Sequence, residues 1–179
     1  MSFIKAAGAL EGHARYSDPL RKQQHLVETI NRLQRLHEWK DMAIVIAYDD
    51  SDGLYDHVQP PLVNASNTAR DALTGPGACG QSQPGADQGR CGYGPRLPLL
   101  VISPYAKRNF VDHTLTDQSS IIRFIEDNWG LPRIGDQSFD ERAGTIEKLF
   151  DFSHRRPGRL FLDPITGLSL ANVPGDSRN

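Results

Sequence analysis

Met42-Ala43-Ile44-Val45-Ile46-Ala47-Tyr48, followed at once by Asp49-Asp50-Ser51-Asp52-Gly53, joins an uncharged apolar run to a cluster of carboxylates. The run is β-branched at its centre and shows no alternation. It reads as a strand over 42–48 covered on both faces, as in a parallel-type sheet. The carboxylates and Gly53 end it abruptly. A second run, Leu97-Pro98-Leu99-Leu100-Val101-Ile102-Ser103, has the same buried-strand character and stops at Pro104. Asp18-Pro19 is a helix entry, and Leu26, Val27, Ile30, Leu33 and Leu36 or His37 recur at helical spacing, predicting a helix to about Trp39. Thr116 or Asp117 caps another helix, with Ile121, Ile122, Ile125 and Trp129 facing inward and Gly130 and Pro132 closing it. Helix, strand, loop, strand, helix is the order of an α/β layered domain.

The remaining segments are less regular. Residues 59–96 read as one long loop, of the kind that in a compact domain is usually functional or poorly ordered. Thr145–Phe150 holds a further helical turn. From residue 153 to 179 the chain is rich in Arg, Pro and Gly, an irregular tail that wraps the surface or frays.

At 179 residues the chain suits one ordinary domain with a sizeable core. With 38% hydrophobic and 23% charged residues it is neither a charge-rich disordered tail nor a membrane protein, and no apolar run nears the roughly 20 residues of a transmembrane segment. Twenty basic against 22 acidic residues, a net charge of -2, argue against nucleic acid as a partner. The first residues show no signal peptide, which implies a cytoplasmic protein or part of a longer exported one. Cys79 and Cys91 lie in a Gly- and Pro-rich stretch without apolar periodicity. A disulfide closing a short loop is the favoured reading, worth ~3 kcal/mol in the chain-entropy model and implying an oxidising compartment. A zinc pair is the weaker alternative, because neither thiol has a Cys-x-x-Cys or His neighbour.

Chemistry concentrates in 49–57, where Asp49, Asp50, Asp52, Asp56 and His57 fall within nine positions just past a strand. Ligands of open α/β sheets bind beyond the carboxyl ends of strands. Adjacent carboxylates there repel one another unless solvated or neutralised, so the segment is either a solvated acidic turn or an oxygen-ligand set for a hard divalent cation. A calcium EF-hand is excluded: with Gly53 as the loop glycine, Tyr48 and Gln59 occupy positions that require carboxylates. No Gly-x-Ser-x-Gly and no phosphate-cradling glycine loop is present. His13, in a polar segment ahead of the first helix, is exposed or lines a site. His113 fixes a loop or takes part in function, His25 and His37 pack or face solvent, and Arg96 and Lys107 are solvated or meet an anion.

Taken together, Val45–Pro61, Arg96–Lys107, Val111–Thr114 and Ser119–Glu126 resemble the bacterial phosphoesterase family of non-specific phospholipases C and Francisella-type acid phosphatases, in order and spacing across residues 2–152. The acid-phosphatase-like branch is the nearer, since the phospholipase branch usually carries Asp-Glu and a Gly-Gly pair at Asp49-Asp50. The resemblance implies the alkaline phosphatase superfamily and its three-layer α/β/α sandwich, with residues 1–152 as a C-terminal part of it. It implies phosphoric ester hydrolysis with a phospholipid or phosphomonoester substrate, a divalent metal ion and a covalent phospho-enzyme. Asp49 and Asp50 then correspond to metal ligands, and His13 to a histidine that contacts the phosphate or helps protonate the leaving group. Asp56 and His57 correspond to groups that shape the site, while Lys107 and His113 match family motifs with a site or a loop-fixing role. Oxygen ligands favour calcium, magnesium or manganese, and a neutral histidine would tolerate zinc or iron.

The family's N-terminal metal-ligand motif and hydroxyl nucleophile have no match in 1–179, and Ser51 is not at the nucleophile position. The chain by itself is therefore expected to be weakly active or inactive, and its parent periplasmic or secreted. The alternative is a non-catalytic metal- or phosphate-binding module that associates with itself or with an N-terminal partner chain.

Overall fold

In the computed structural model, residues 1–54, 56–60, 73–75, 78–79, 93–135 and 138–170 are described. Helix α1 spans Pro19–Gln34. Asp18 caps it, its carboxylate accepting the Leu20 N–H at 2.9 Å with Pro19 in the first turn, as the sequence predicts. The helix stops short of Trp39. The last turn is capped by Arg35 N–H on Arg32 O and Leu36 N–H on Leu33 O, Leu36 turns extended, and His37–Asp41 form a separate 3₁₀ segment with Trp39 buried.

The strands are shorter than their apolar runs: β1 is Ile44–Ala47 and β4 is Leu99–Ile102, hydrogen-bonded to each other in a two-stranded sheet. Two strands cannot cover both faces and both edges, so β1 is half-buried and Leu100 is exposed, where the sequence predicts full burial. The stretch 59–96 is not all loop, for it contains β2 (Leu73–Gly75) and β3 (Ala78–Cys79), an antiparallel pair with Leu73 opposite Cys79.

Helix α2 is Ser119–Trp129. Although the helix starts after Gln118, Asp117 performs the capping chemistry: its carboxylate accepts the Ser119 N–H at 2.7 Å, and the Ser120 hydroxyl oxygen accepts the Asp117 N–H at 3.0 Å. Gly130, at φ 62°, ends it, with Gly130 N–H on Asp127 O and Leu131 N–H on Glu126 O. The predicted inward face is displaced. Ile122 and Trp129 are exposed, while Ser120 and Glu126 are buried. The cause is the ion network on that side: the Arg133 guanidinium reaches Glu126 at 2.9 Å and Asp127 at 2.5 Å, and Phe124 stacks on Phe150 at 5.0 Å.

The chain divides into two compact units. One comprises Met1–Val45, Val101–Ala106 and Phe152–Asn179; the other comprises Ile46–Leu100 and Lys107–Asp151. In the first, the late segment lies on α1. Gln34 accepts from Leu160 N–H at 2.9 Å and donates to Leu160 O at 2.8 Å, and Asn31 does the same with Leu162 at 3.2 and 2.7 Å. Two buried amides thus take the place of a neighbouring strand, and a Leu162–Ser169 bridge turns the segment back. Ser103 donates its hydroxyl to Met42 O at 2.9 Å, tying the two strand ends of this unit together. In the second unit Ala143, Ile146 and Phe150 form the buried apolar centre, and the predicted turn over 145–150 is the 3₁₀ segment Glu147–Leu149. Helices and strands mix in one chain, compatible with the α/β class.

Candidate functional site around the acidic turn

Tyr48 leaves β1, and Asp49 and Asp50 follow on an exposed turn. Asp50 Oδ1 accepts the Asp52 N–H at 2.6 Å and Ser51 O accepts the Leu54 N–H at 2.8 Å, which closes the turn. Asp52 takes the left-handed conformation at φ 51° and Gly53 follows at φ 75°. At the near end, Gln118 Nε2 donates to Tyr48 O at 3.1 Å and to Asp49 O at 2.5 Å.

At the far end stands Asp56, with only 12% of its side chain exposed. Four donors saturate its carboxylate: Val58 N–H at 3.0 Å, Arg96 N–H at 3.1 Å, Arg96 Nε at 2.8 Å and Arg96 Nη2 at 2.9 Å. The Arg96 fork and the Val58 amide together hold this carboxyl well below the usual carboxylate range. Asp56 is therefore a structural anion with no lone pair left over for a cation. His57 is largely exposed, with Nδ1 3.6 Å from Asp56 Oδ1.

Lys107 and His113 lie in the same unit. The Lys107 ammonium sits over the Phe110 ring, 4.8 Å from its centroid, and its N–H donates to Leu149 O at 2.9 Å. His113 is exposed beside Asp112, whose Oδ1 accepts from Thr114 N–H at 3.0 Å and Oγ1 at 2.8 Å. Burial pushes the Asp112 carboxyl up, but the Thr114 bonds with Lys148 and His113 outweigh it and leave the group below its ordinary value.

His13 belongs to the other unit and is held by its own neighbours. Its Nδ1 accepts the Arg15 N–H at 3.2 Å, its ring stacks on Tyr16 at 4.2 Å, and its carbonyl accepts the Ser17 N–H at 3.0 Å. An Nδ1 that accepts leaves the ring proton on Nε2. Gly12, at φ 89°, admits the Lys22 stem where a Cβ would stand 2.3 Å from Lys22 Cδ.

The donor chemistry of Asp49 and Asp50 suits a hard divalent cation, but the donor number is small: no group of three or more His, Cys, Asp or Glu able to hold a metal occurs among the described residues. Cys91 lies outside the described residues and Cys79 contributes backbone to β3, so the Cys79–Cys91 pairing falls outside them too. No helix among the described residues is long and apolar enough to cross a membrane. The sequence leaves Arg96 either solvated or meeting an anion, and in the structure it meets the Asp56 carboxylate. Gln118 was missed, since a polar residue ahead of a helix carries no signal of partners some 70 positions away.

Residues 1–132 match the sequence profile of the Phosphoesterase family. The chain is 30% identical over 138 residues to the non-hemolytic phospholipase C of Pseudomonas aeruginosa, covering 73% of this chain and 20% of that protein. It is 36% identical over 91 residues to the non-hemolytic phospholipase C of Burkholderia pseudomallei, covering 49% and 13%. With the non-specific phospholipase C1 of Arabidopsis thaliana it shares 30% identity over 139 residues, covering 72% and 24%. The chain thus spans at most about a quarter of the length of these relatives.

Proposed function

This chain belongs to the phosphoesterase family, and from that premise we propose that it supplies part of the active site of a metal-assisted phosphoric ester hydrolase of the phospholipase C or acid phosphatase type. The observation that carries the reading is the acidic turn: Asp49 and Asp50 stand consecutively at the end of β1, inside the matched region, on a turn pinned at both ends. Asp49 and Asp50 would hold the metal, which when bound supplies Lewis-acid stabilisation of the phosphoryl oxygens. Asp56 contributes no ligand. Paired with Arg96, it shapes the turn, and His57 beside it faces solvent.

Of the two roles open to His13, its local bonding supports contact with the phosphate. With Nδ1 accepting from Arg15, Nε2–H can donate a hydrogen bond to a phosphoryl oxygen. Phosphate contact is the role we assign to it. Lys107 and His113 fix their loops, through Phe110 and Asp112. In the complete protein a hydroxyl from outside this chain attacks phosphorus as the P–O bond to the alcohol breaks, and water then cleaves the covalent intermediate, releasing inorganic phosphate from a phosphomonoester or the phosphorylated headgroup from a phospholipid. The three-layer sandwich and a periplasmic or secreted setting belong to the same reading.

The test is hydrolysis of p-nitrophenyl phosphate by residues 1–179 with calcium, magnesium or manganese added, beside Asp49→Ala. Turnover at or near background in both is expected, because the ligand set is partial. Metal-dependent turnover that Asp49→Ala abolishes would overturn the incompleteness and place a nucleophile within this chain.

A further inference from the structure

We infer that Gln118 is a positioning residue for the Asp49–Asp50 pair, acting on the backbone that carries the two carboxylates; the inference rests on their reading as metal ligands. β1 ends at Ala47, so Tyr48 O and Asp49 O lie beyond the strand. The Gln118 amide nitrogen donates to both, at 3.1 and 2.5 Å. One amide nitrogen carries two protons and can make both bonds at once, whereas the amide oxygen could not face two carbonyls.

The consequence follows from peptide geometry. Tyr48 O belongs to the planar peptide before the Asp49 Cα, and Asp49 O to the one after it. Fixing both planes fixes φ and ψ of Asp49, and with them the direction of its Cβ and the plane from which Asp50 departs. The other side of the turn closes on itself, through Asp50 Oδ1 to Asp52 N–H and the left-handed Asp52–Gly53 pair. Gln118 thus ties the start of the turn to a residue at the head of α2.

The Gln118 side chain is exposed, but the backbone that carries it is anchored. It lies between Asp117 and Ser119, which are joined across it by the Asp117 carboxylate on the Ser119 N–H, and Ser120, fully buried, accepts from Asp117 N–H. A cation that meets two carboxylates already held in place does not pay to order them, and residues behind metal ligands commonly alter affinity by 10- to 100-fold.

The experiment is a manganese titration of the full 179-residue chain, read from the electron paramagnetic resonance signal of free Mn²⁺, on wild type, Asp49→Ala, Gln118→Ala and the isosteric Gln118→Glu. Circular dichroism and carbonyl ¹³C shifts of Tyr48 and Asp49 accompany it. Gln118→Ala is expected to weaken Mn²⁺ binding about tenfold with unchanged helix content, and to move both carbonyl shifts. Gln118→Glu, whose carboxylate would face the same carbonyls, should bind no better than Gln118→Ala. Wild-type affinity in both Gln118 variants, with binding lost in Asp49→Ala, overturns the role of Gln118 and keeps the metal reading. Where the partial ligand set of the 179-residue wild type holds no Mn²⁺, the titration gives way to the shifts. The carbonyl shifts then decide for Gln118: unmoved shifts in Gln118→Ala overturn its positioning role, and moved shifts uphold it.

Discussion

The turn at His13 and the turn at Asp49–Asp50 are both short and polar, yet they are held from different distances along the chain. Around His13 the bonds are local, within five positions: Arg15 N–H on the ring, Gly12 N–H on Ser17 Oγ, Tyr16 hydroxyl on Glu11. The acidic turn also closes on itself, through Asp52 N–H and Leu54 N–H, but it is tied in addition by Gln118, about 70 positions away, and by Arg96, 40 positions from Asp56. A turn closed by its neighbours forms with its own segment. A turn closed by distant side chains must wait for the loops between to close, and its geometry is only as firm as the fold around it. The carboxylates assigned to the metal are on the second kind.

The largest effect expected is that of Gly144→Ala, which attacks the distant kind of closure. A Cβ at Gly144 would stand 1.9 Å from Leu115 O, a backbone atom three residues before Gln118. The backbone on one side or the other must move, at a cost of about 3 kcal/mol in urea unfolding. Amide exchange should quicken across 49–54 and stay unchanged across 12–17. Equal acceleration in both turns would break the comparison.

Next in size is the double substitution Asn31→Ala, Gln34→Ala. Each amide satisfies one N–H and one C=O of the segment that crosses α1, at Leu162 and Leu160. Removing both should cost about 2–3 kcal/mol, less than the sum of separate buried hydrogen bonds because the freed backbone can take up water. Protease cleavage within 156–165 should become faster. A loss below about 0.5 kcal/mol would show that this long-range contact, unlike the one at Gln118, is dispensable.

Much of this was legible where the cause is local. Asp18-Pro19 announces α1, Gly130 ends α2, and the shift from apolar run to carboxylates marks the end of β1. The acidic pair and His13 stand out for the same reason. What the sequence hid depends on what lies across from a residue. The periodicity of α1 points to Leu26, Val27 and Ile30, yet the buried residues are Asn31 and Gln34, because their partner is exposed backbone and only an amide can satisfy it. Trp129 reads as core and is exposed, while Glu126, paired with Arg133, takes the covered side. Gln118 carries no pattern at all.

A smaller effect, on the locally closed turn, is expected of Gly12→Ala. The Lys22 stem that fills the Cβ position is flexible and can swing away, so the cost reduces to the left-handed φ of 89°. That strain is worth about 1–2 kcal/mol. Helix α1 should keep its ellipticity, and the Arg15 amide resonance should shift as its bond to His13 Nδ1 distorts. A loss as large as that of Gly144→Ala would mean that the His13 turn also depends on distant contacts.

Asp56→Asn should have the smallest effect at neutral pH, and its dependence on pH is the informative part. Asn keeps an acceptor for Val58 and Arg96 but gives up the charge, and Arg96 is 62% exposed, so solvent screens much of what is lost. The Asp56 carboxyl is depressed in the folded state by the Arg96 fork. Its stabilisation is therefore fully present above the unfolded value of about 3.9 and is lost as pH falls toward the lower folded value. The stability difference between wild type and Asp56→Asn should stay constant from pH 7 to about 5 and close progressively below about pH 4. Wild type alone will not report this cleanly, because Asp112, Asp140 and Asp163 are depressed as well and share the same acid limb. The difference removes them. A gap that stays constant down to pH 2 would mean that Asp56 titrates as an ordinary surface carboxylate, and the far clamp of the acidic turn would then be packing around Arg96 rather than its charge.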